Sequence, residues 1–288
     1  MNINRLLGFA LAAVLALPAA VSTLTPPAVA AEKLHVTIAT EGAFAPWNLT
    51  RPDGTLAGFE VDLAKDLCRR MAADCKLVAQ NWDGIIPGLL AGKYDAIMSG
   101  MSATPKRAEI VAFSAPYGST GQTFAVMAGG PLSNLPMTGK MISLTADPDA
   151  AKQDIAALKP LFKGKTIGVQ VSSIAERFIK ANFGDVAEIR EYATTQEEDL
   201  DLVAGRIDAA MASPAYIMTS MKDPANKGME MAGPRFQGGM LGKGSAVAFR
   251  KQDVALRQAF DKALAAAKAD GTTKRLSDKW FGYDVTVY

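Results

Sequence analysis

The feature that most constrains the fold of this chain is an eight-residue segment that occurs twice. The first copy, at residues 91–98, reads AGKYDAIM, and the second, at 204–211, reads AGRIDAAM. Each copy starts like a helix end and runs into an apolar stretch typical of a buried strand. Another apolar strand pattern precedes each copy, at 34–39 and at 166–169. The repeat predicts two similarly built lobes; a helix-to-strand habit shared by chance is the alternative.

Strand and helix patterns alternate along the rest of the chain as well. Apolar residues recur at helical spacing from Phe59 to Met71, after the first predicted strand and a turn signal at residues 51–54. Such alternation is typical of the α/β class with mostly parallel sheets. The other predicted elements are a short helix at 84–90, a helix from Ser173, a strand at 186–191, a helix at 196–204, a long helix at about 253–270 and a last short helix carrying Leu276 and Trp280.

Polar residues follow four of the predicted strands. In open α/β sheets, ligands bind beyond the carboxyl ends of the strands, so two facing lobes would bring these groups to one cleft. Ser172 and Ser173 also precede a helix, whose free amides favour an anion; plain N-capping is the alternative. The four groups are Thr40-Glu41-Gly42, Ser99-Gly100-Met101-Ser102, Gln170-Val171-Ser172-Ser173 and Ala212-Ser213.

One arginine lies close in sequence to three hydroxyl residues, within residues 99–107. Ser99, Ser102, Thr104 and Arg107 supply hydroxyls, exposed amides and a guanidinium fork, which together suit a carboxylate. The alternative is that Thr104 caps a short helix and that Arg107 is a surface charge. A carboxylate site is our interpretation of this cluster.

Aromatic residues flank the same predicted strand ends. Phe44, Trp47 and Trp82 can sandwich an aliphatic or cationic side chain, and Glu41 between them can pair with that cation. Burial of the tryptophans in the core and a solvated glutamate are the alternatives.

The first 30 residues have the pattern of a secretory signal peptide. Arg5 supplies a basic start, residues 6–17 are apolar, and Ala28-Val29-Ala30 is a small-x-small cleavage site. The apolar run is shorter than the roughly 20 residues that a membrane-spanning helix needs. We therefore expect an exported, periplasmic protein, with an uncleaved anchor as the alternative.

Composition excludes several classes of function. The formal net charge is +2 and the basic residues are scattered, so we expect no nucleic-acid partner. His35 is the single histidine, which argues against histidine-dependent catalysis and histidine-rich metal sites. Cys68 and Cys75 are too few for structural zinc, and an exported chain allows them to form a disulfide. We expect no metal, no cofactor and no catalytic residues, although Glu41 remains a candidate general acid.

Several of these motifs resemble the polar amino-acid-binding proteins of ABC transporters. The similarity covers essentially the whole chain after the signal peptide. Within that family the chain resembles the lysine/arginine/ornithine- and histidine-binding group, and more closely the octopine- and nopaline-binding proteins, through Trp47, Trp82, residues 146–162 and residues 284–286. The matching segments are 38–48, 58–64, 81–87, 93–98, 104–107, 270–272 and 279–281.

The resemblance implies a type II periplasmic-binding-protein fold, in which two α/β lobes are joined by a two-strand hinge. Residues 31–119 and 239–288 would form lobe 1, residues 120–238 would form lobe 2, and residues 1–30 would be the signal peptide. The implied function is capture of an opine or of a basic amino acid such as arginine by hinge closure. The implied partner is an ABC permease in the inner membrane, and we expect a monomer.

The resemblance also implies residue roles. Arg107 would hold the α-carboxylate with Ser102, and Glu41 would meet the distal cation of the ligand. Ser99 would bond the head of the ligand, while Phe44 and Trp82 would sandwich its side chain. The full predicted binding set is Glu41, Phe44, Trp82, Ser99, Gly100, Ser102, Arg107, Ser172, Ser173 and Ser213.

Two positions depart from the family pattern. The arginine and histidine binders have an aspartate for the α-ammonium where this chain has Ser213, and Val171 stands where glycine is common. A small neutral residue at 213 favours opines, because their extra carboxylate would be repelled by an aspartate. The alternative is a plain amino acid whose ammonium is paired with another acid or with water.

An enzyme on the same scaffold, resembling a cyclohexadienyl or arogenate dehydratase, would need Glu41 as its acid. A receptor's sensory domain is disfavoured by the lack of a membrane helix before Tyr288.

Overall fold

A computed structural model describes Met1 and residues 33–287. The predicted signal peptide, residues 1–30, lies outside the described residues apart from Met1. No helix in the described part of the chain is long and apolar enough to cross a membrane.

The described strands and helices are numbered here in chain order. The strands are β1 (His35–Thr40), β2 (Ala43–Phe44), β3 (Asn48–Thr50), β4 (Leu56–Ala57), β5 (Asp74–Ala79), β6 (Ala96–Ile97), β7 (Ala112–Phe113), β8 (Gln122–Met127), β9 (Met141–Ser143), β10 (Thr166–Gln170), β11 (Glu188–Tyr192), β12 (Ala209–Ala212), β13 (Met229–Gln237) and β14 (Ala248–Phe249). The helices are α1 (Phe59–Arg70), α2 (Ile85–Leu90), α3 (Pro105–Ala108), α4 (Pro148–Leu158), α5 (Ile174–Phe183), α6 (Thr195–Val203), α7 (Pro214–Ser220), α8 (Val254–Ala269) and α9 (Thr272–Phe281).

Two separate sheets organise the two lobes. One sheet has the order β5-β1-β6-β14-β7 and the other β11-β10-β12-β8-β13-β9. In the first, β1 pairs in parallel with β5 and β6, and in the second, β10 pairs in parallel with β11 and β12. Each sheet packs against its own apolar clusters, one set around Phe59 and Phe249 and the other around Phe124 and Phe178. The predicted two-lobed α/β fold is confirmed.

The chain passes between the two sheets twice. It leaves the first sheet after β7 and enters the second at β8, then returns between β13 and β14. The two connections lie side by side, because Gln122 at the start of β8 pairs with Phe236 near the end of β13. The first lobe thus takes residues from both ends of the described chain. The boundaries at 119/120 and 238/239 stay a prediction.

The sequence repeat corresponds to one local structure that occurs in both lobes. The Asp95 carboxylate accepts a hydrogen bond from the Thr37 amide at 2.9 Å, and the Asp208 carboxylate accepts one from the Thr166 amide at 2.8 Å. In both lobes the aspartate therefore ties the start of a central strand to the neighbouring parallel strand. Such matched contacts favour a repeated building plan over a chance match.

Most helices begin and end close to their predicted positions. The helices α1, α5 and α8 lie where helical spacing places them, and Ser173 caps α5 by accepting the Glu176 amide at 3.0 Å. Cys68 at the end of α1 forms the predicted disulfide with Cys75 in β5. The patterns did not identify nine of the described strands or two of the described helices, which are β2, β3, β4, β5, β7, β8, β9, β13, β14, α4 and α7.

Candidate ligand-binding cleft

The four polar groups that follow predicted strands meet in one cleft between the lobes. Glu41 follows β1, Ser99 follows β6, Ser173 follows β10 and Ser213 follows β12. Of the predicted binding set, the residues that line the cleft are Glu41, Phe44, Trp82, Ser99, Gly100, Ser102, Arg107, Ser173 and Ser213. Ser172 is not part of this wall, because its side chain is exposed. Whether these residues contact a ligand stays a prediction.

Arg107 is buried in the cleft wall, and no acidic residue among those that the structure describes pairs with it. Its residue is 6% exposed, and its guanidinium donates to the Ser102 carbonyl at 3.1 Å and to the Ser172 carbonyl at 3.2 Å. The guanidinium carbon lies 5.1 Å from the centre of the Trp82 ring. Burial, together with the charge of Arg177, lowers the pKa of Arg107 to about 9. No carboxylate in the described part of the chain pairs with it, so the site favours an incoming anion.

Arg177 adds a second positive charge beside this wall. It lies on α5 and donates to the Thr104 hydroxyl at 3.2 Å, across the gap between the lobes. The same hydroxyl caps α3 by accepting the Arg107 amide at 3.2 Å. Thr104 is therefore a helix cap, as the alternative had it, whereas Arg107 is not a surface charge. Burial lowers the pKa of Arg177 too, and the charge of Glu176 opposes this shift. Two guanidinium groups therefore lie on this side of the cleft.

Glu41 places an acidic side chain in another part of the cleft, in contrast to the basic side chains of Arg107 and Arg177. Its amide donates to the Ser99 hydroxyl at 2.8 Å, and its carboxylate accepts the Gln170 side-chain amide at 2.6 Å from the other lobe. Burial raises the pKa of Glu41 to about 7, the Gln170 hydrogen bond opposes this shift, and the charge of Glu60 adds to it. A partly protonated carboxyl in a buried site gains from a cation, because the cation stabilises its ionised form.

The aromatic residues divide between the cleft and the core. The Phe44 ring stacks on Tyr216 of the other lobe, with centroids 5.5 Å apart and planes 9° from parallel. Trp82 carries the Arg107 guanidinium on its face. Trp47 touches the cleft but is only 2% exposed and packs against Phe59, so it is mainly a core residue.

Ser213 lies at the N-terminus of α7. The family resemblance implies an aspartate at this position in the arginine and histidine binders. Ser213 is 4% exposed, and its hydroxyl shares a 2.7 Å hydrogen bond with the Thr120 hydroxyl. A pair of hydroxyls can bond a polar head group but cannot neutralise a buried ammonium. This part of the wall is therefore neutral.

Ser172 adopts the left-handed backbone conformation that glycine favours. Its φ is 59°, its amide donates to the Glu176 carboxylate, and its carbonyl accepts from Arg107. The sequence comparison placed the unusual glycine position at Val171, one residue earlier. Ser172 thus contributes to the cleft through its backbone carbonyl, which bonds Arg107, and not through its side chain.

Ser172→Gly is expected to raise the free energy of unfolding by about 0.5–1 kcal/mol, because glycine adopts positive φ without the clash of a Cβ. This corresponds to a rise in melting temperature of roughly 1–4 °C for a chain of this size. Ser172→Ala is the matched control, since it removes the hydroxyl and keeps the strain. Equal stability of the two variants in urea unfolding would contradict the argument.

Glu60 is a buried residue that fixes the loops of the cleft wall by hydrogen bonds to Asn48 and Gly100. Sequence reasoning did not identify it. This carboxylate is 1% exposed and accepts hydrogen bonds from the Asn48 side chain at 2.7 Å, the Gly100 amide at 2.6 Å and the Tyr117 hydroxyl. Burial raises its pKa, and these bonds oppose the shift. Its place on the apolar face of α1, one turn before Leu63, is the signal that could have identified it.

Gly100 cannot carry a side chain in this arrangement. Its φ is 58°, and a Cβ there would lie 2.9 Å from the Phe44 ring. The glycine therefore lets the loop after β6 pass beneath Phe44.

Among the residues that the structure describes, no three His, Cys, Asp or Glu side chains are placed to hold a metal ion.

Two α/β lobes around a cleft with a buried, unpaired arginine define a solute-binding protein. The chain matches the bacterial extracellular solute-binding proteins, family 3, over residues 36–283, and it belongs to that family. The octopine-binding periplasmic protein of Rhizobium meliloti is 44% identical over 277 residues, covering 90% of this chain and 94% of that protein. The L-arginine-binding protein of Pseudomonas aeruginosa is 37% identical over 269 residues, covering 92% and 95%.

Solved structures agree with this assignment. A periplasmic His/Glu/Gln/Arg/opine family-binding protein from Silicibacter pomeroyi, in complex with lysine, superposes with a TM-score of 0.70. It is 30% identical in sequence, and the match covers 88% of this chain and all of that one (100%). The resemblance to amino-acid and opine binders is confirmed.

Proposed function

We propose that this protein is the periplasmic solute-binding component of an ABC importer. It binds an opine of the octopine or nopaline type, or a basic amino acid such as arginine, by closing two lobes on a hinge. Contacts from both lobes to one cleft support closure on a ligand. The named relatives support the ligand class and the periplasmic location, with residues 1–30 as the cleaved signal. Delivery to an inner-membrane permease follows from the family, and we propose that the protein acts as a monomer.

The observation that carries this proposal is the opposite charge of two groups in one cleft. Arg107 is buried without a carboxylate partner, and Glu41 is a largely buried carboxyl bonded only by neutral groups. The two do not pair with each other. A ligand with a carboxylate at one end and a cation at the other satisfies both groups at once. Arginine and the arginine-derived opines have this form.

The neutral head-group wall favours an opine over a free amino acid. A free amino acid presents a primary ammonium that needs a buried anion beside it. Ser213 and Thr120 offer hydroxyls only. The secondary amine of an opine is compensated by its own second carboxylate, which a serine tolerates and an aspartate repels. The 44% identity to an octopine-binding protein supports this preference.

We further propose that the protein is not an enzyme. Glu41, with its pKa near 7, has the property of a general acid. Its carboxylate is nevertheless engaged by Gln170 from the opposite lobe, which suits charge recognition better than proton transfer. The relatives named above are binding proteins, in agreement with this proposal.

A true ligand is expected to raise the melting temperature. At one hundred times the dissociation constant, binding adds about 2.7 kcal/mol to the free energy of unfolding. This is roughly 5–10 °C if the lobes unfold together. Differential scanning fluorimetry against octopine, nopaline, arginine, lysine, ornithine and histidine measures the shift, with aspartate as the mismatched control. A screen in which no opine or basic amino acid shifts the melting curve would refute the ligand class.

A further inference from the structure

Glu198 is a buried carboxylate to which sequence reasoning assigned no role. It lies on α6 with 0% exposure, and neither carboxylate oxygen has a hydrogen-bond partner among the residues that the structure describes. A buried charge without a partner is costly and persists where something else compensates for it. The Glu198 carboxylate therefore lacks the hydrogen-bond donor or cation that a buried acid needs, and the described residues do not supply one.

The surroundings of Glu198 make a cation the natural partner. Asp199 on the same helix is already bonded by the hydroxyls of Tyr216 and Ser220, each at 2.5 Å. Burial raises the pKa of Glu198 well above its usual value, and the charges of Asp199 and Glu41 raise it further. No basic group in the described range offsets these effects. Without a cation, burial and mutual repulsion therefore drive these carboxyls toward their protonated, neutral forms.

Glu198 lies close enough to Glu41 for the charge of Glu41 to raise its pKa. Thr195, one turn earlier on α6, lines the cleft, and Glu198 is buried behind this part of the wall. The next side chain, Gln196, donates to the Ala43 carbonyl of the other lobe at 2.7 Å. The start of α6 therefore closes against the loop that follows β1. The two lobes therefore contribute one carboxyl each, Glu41 in the cleft wall and Glu198 buried behind Thr195.

We propose that Glu198 and Glu41 together bind the distal cation of the ligand and that the pair selects a planar guanidinium over an ammonium. This inference rests on the proposed function. A guanidinium carries five N–H donors in a fixed plane and is weakly hydrated, so it can bond two carboxylates from two directions. An ammonium is a compact, strongly hydrated point charge and loses more solvation in a buried site.

Protons are expected to leave when the cation binds. Four groups face the pair: Asp199 on α6, Tyr216 on α7, Gln170 on β10 and Glu60 on α1. None of these groups is a cation. A bound guanidinium stabilises the ionised carboxylates, so any proton held in the free protein is released. The affinity for guanidinium ligands therefore falls as the pH is lowered through about 7, the pKa of Glu41.

The test compares Glu198→Gln with the wild type by calorimetry at pH 7. Octopine and arginine serve as guanidinium ligands, lysine as the ammonium ligand, and citrulline as a neutral ligand of arginine's size. We expect Glu198→Gln to lose at least about tenfold in affinity for octopine and arginine, and to change citrulline affinity less than about twofold. Proton release, measured in two buffers of different ionisation enthalpy, should also decrease. Glu188→Gln, an exposed acid on β11, is the matched control and should leave all four affinities unchanged.

A second variant guards against a folding artefact. Glu198→Leu removes the buried carboxyl entirely and should raise the melting temperature of the unliganded protein while reducing arginine affinity at least as much as Glu198→Gln. An unchanged ratio of arginine to citrulline affinity in both variants would overturn the role of Glu198. Wild type that binds lysine as tightly as arginine would overturn the guanidinium preference. Wild type that binds lysine but neither octopine nor arginine would overturn this inference and leave the proposed function standing, whereas wild type that binds no opine and no basic amino acid would overturn both.

Discussion

Arg107→Ala is expected to remove nearly all binding of octopine and arginine while leaving the fold intact. The guanidinium is buried against Trp82 and has no carboxylate partner in the described structure, so we expect the carboxylate of the ligand to pair with it. Truncating one member of a buried charge pair costs about 2–5 kcal/mol. The affinity should fall by a factor between about thirty and a few thousand, which isothermal titration calorimetry measures.

Two companion variants separate recognition from general damage. Lys106→Ala changes the exposed neighbour of Arg107 on α3, whose ammonium pairs with Glu109 at 3.0 Å, and should bind like the wild type. Arg107→Lys keeps the charge but loses the planar fork, so an intermediate affinity is expected. Near-native affinity in a folded Arg107→Ala protein would remove Arg107 from the binding site.

Ser213→Asp is expected to reverse the head-group preference, with weaker binding of octopine and stronger binding of arginine. The new carboxylate would replace a hydroxyl that is 4% exposed and bonded to Thr120. It would neutralise a primary ammonium and repel the second carboxylate of an opine. Charge-assisted hydrogen bonds contribute about 1.5–3 kcal/mol, so each affinity should change at least about tenfold and their ratio about a hundredfold.

Ser213→Asn is the matched control, because asparagine has the shape of aspartate without its charge. It should not strengthen arginine binding. Competition titrations with both ligands give the ratio directly. If the aspartate variant loses both ligands equally, or if the wild type prefers arginine or histidine to every opine tested, the opine preference is wrong and binding of basic amino acids remains.

Several central strands could be predicted because they are short and largely apolar, such as Ala209–Ala212. The repeat and the strand at 166–169 stand out as short buried runs, since parallel strands covered on both faces carry few polar residues. The edge strand β5 could not be found in this way. It lies at the end of its sheet, alternates exposed and partly buried residues, and begins with Asp74. Pairing with β1, which no local pattern reveals, makes it a strand.

The site could be predicted where it depends on strand ends and motifs, and not where it depends on burial. Arg107, Ser102 and Glu41 follow strands and match a familiar pattern. Glu198 stands in the run Gln196-Glu197-Glu198-Asp199, which by composition is typical of a solvated helix face. Burial of Glu198 arises because α6 packs its Thr195 side against the opposite lobe. That contact joins residues more than 150 positions apart, as the 153-residue separation of Gln196 and Ala43 shows.

The buried Glu60 carboxylate has a consequence for how quickly a ligand can be captured. It joins the Asn48 side chain, the Gly100 amide and the Tyr117 hydroxyl, and Asn48 in turn accepts the Gly42 amide at 2.7 Å. The two loops that carry Glu41 and Ser99 are thereby fixed to one internal anchor before any ligand arrives. A preorganised half-site loses little conformational entropy on encounter. If the lobes close on a ligand as proposed, we therefore expect the ligand to bind lobe 1 first and the rate of capture to depend on closure of lobe 2 rather than on loop ordering.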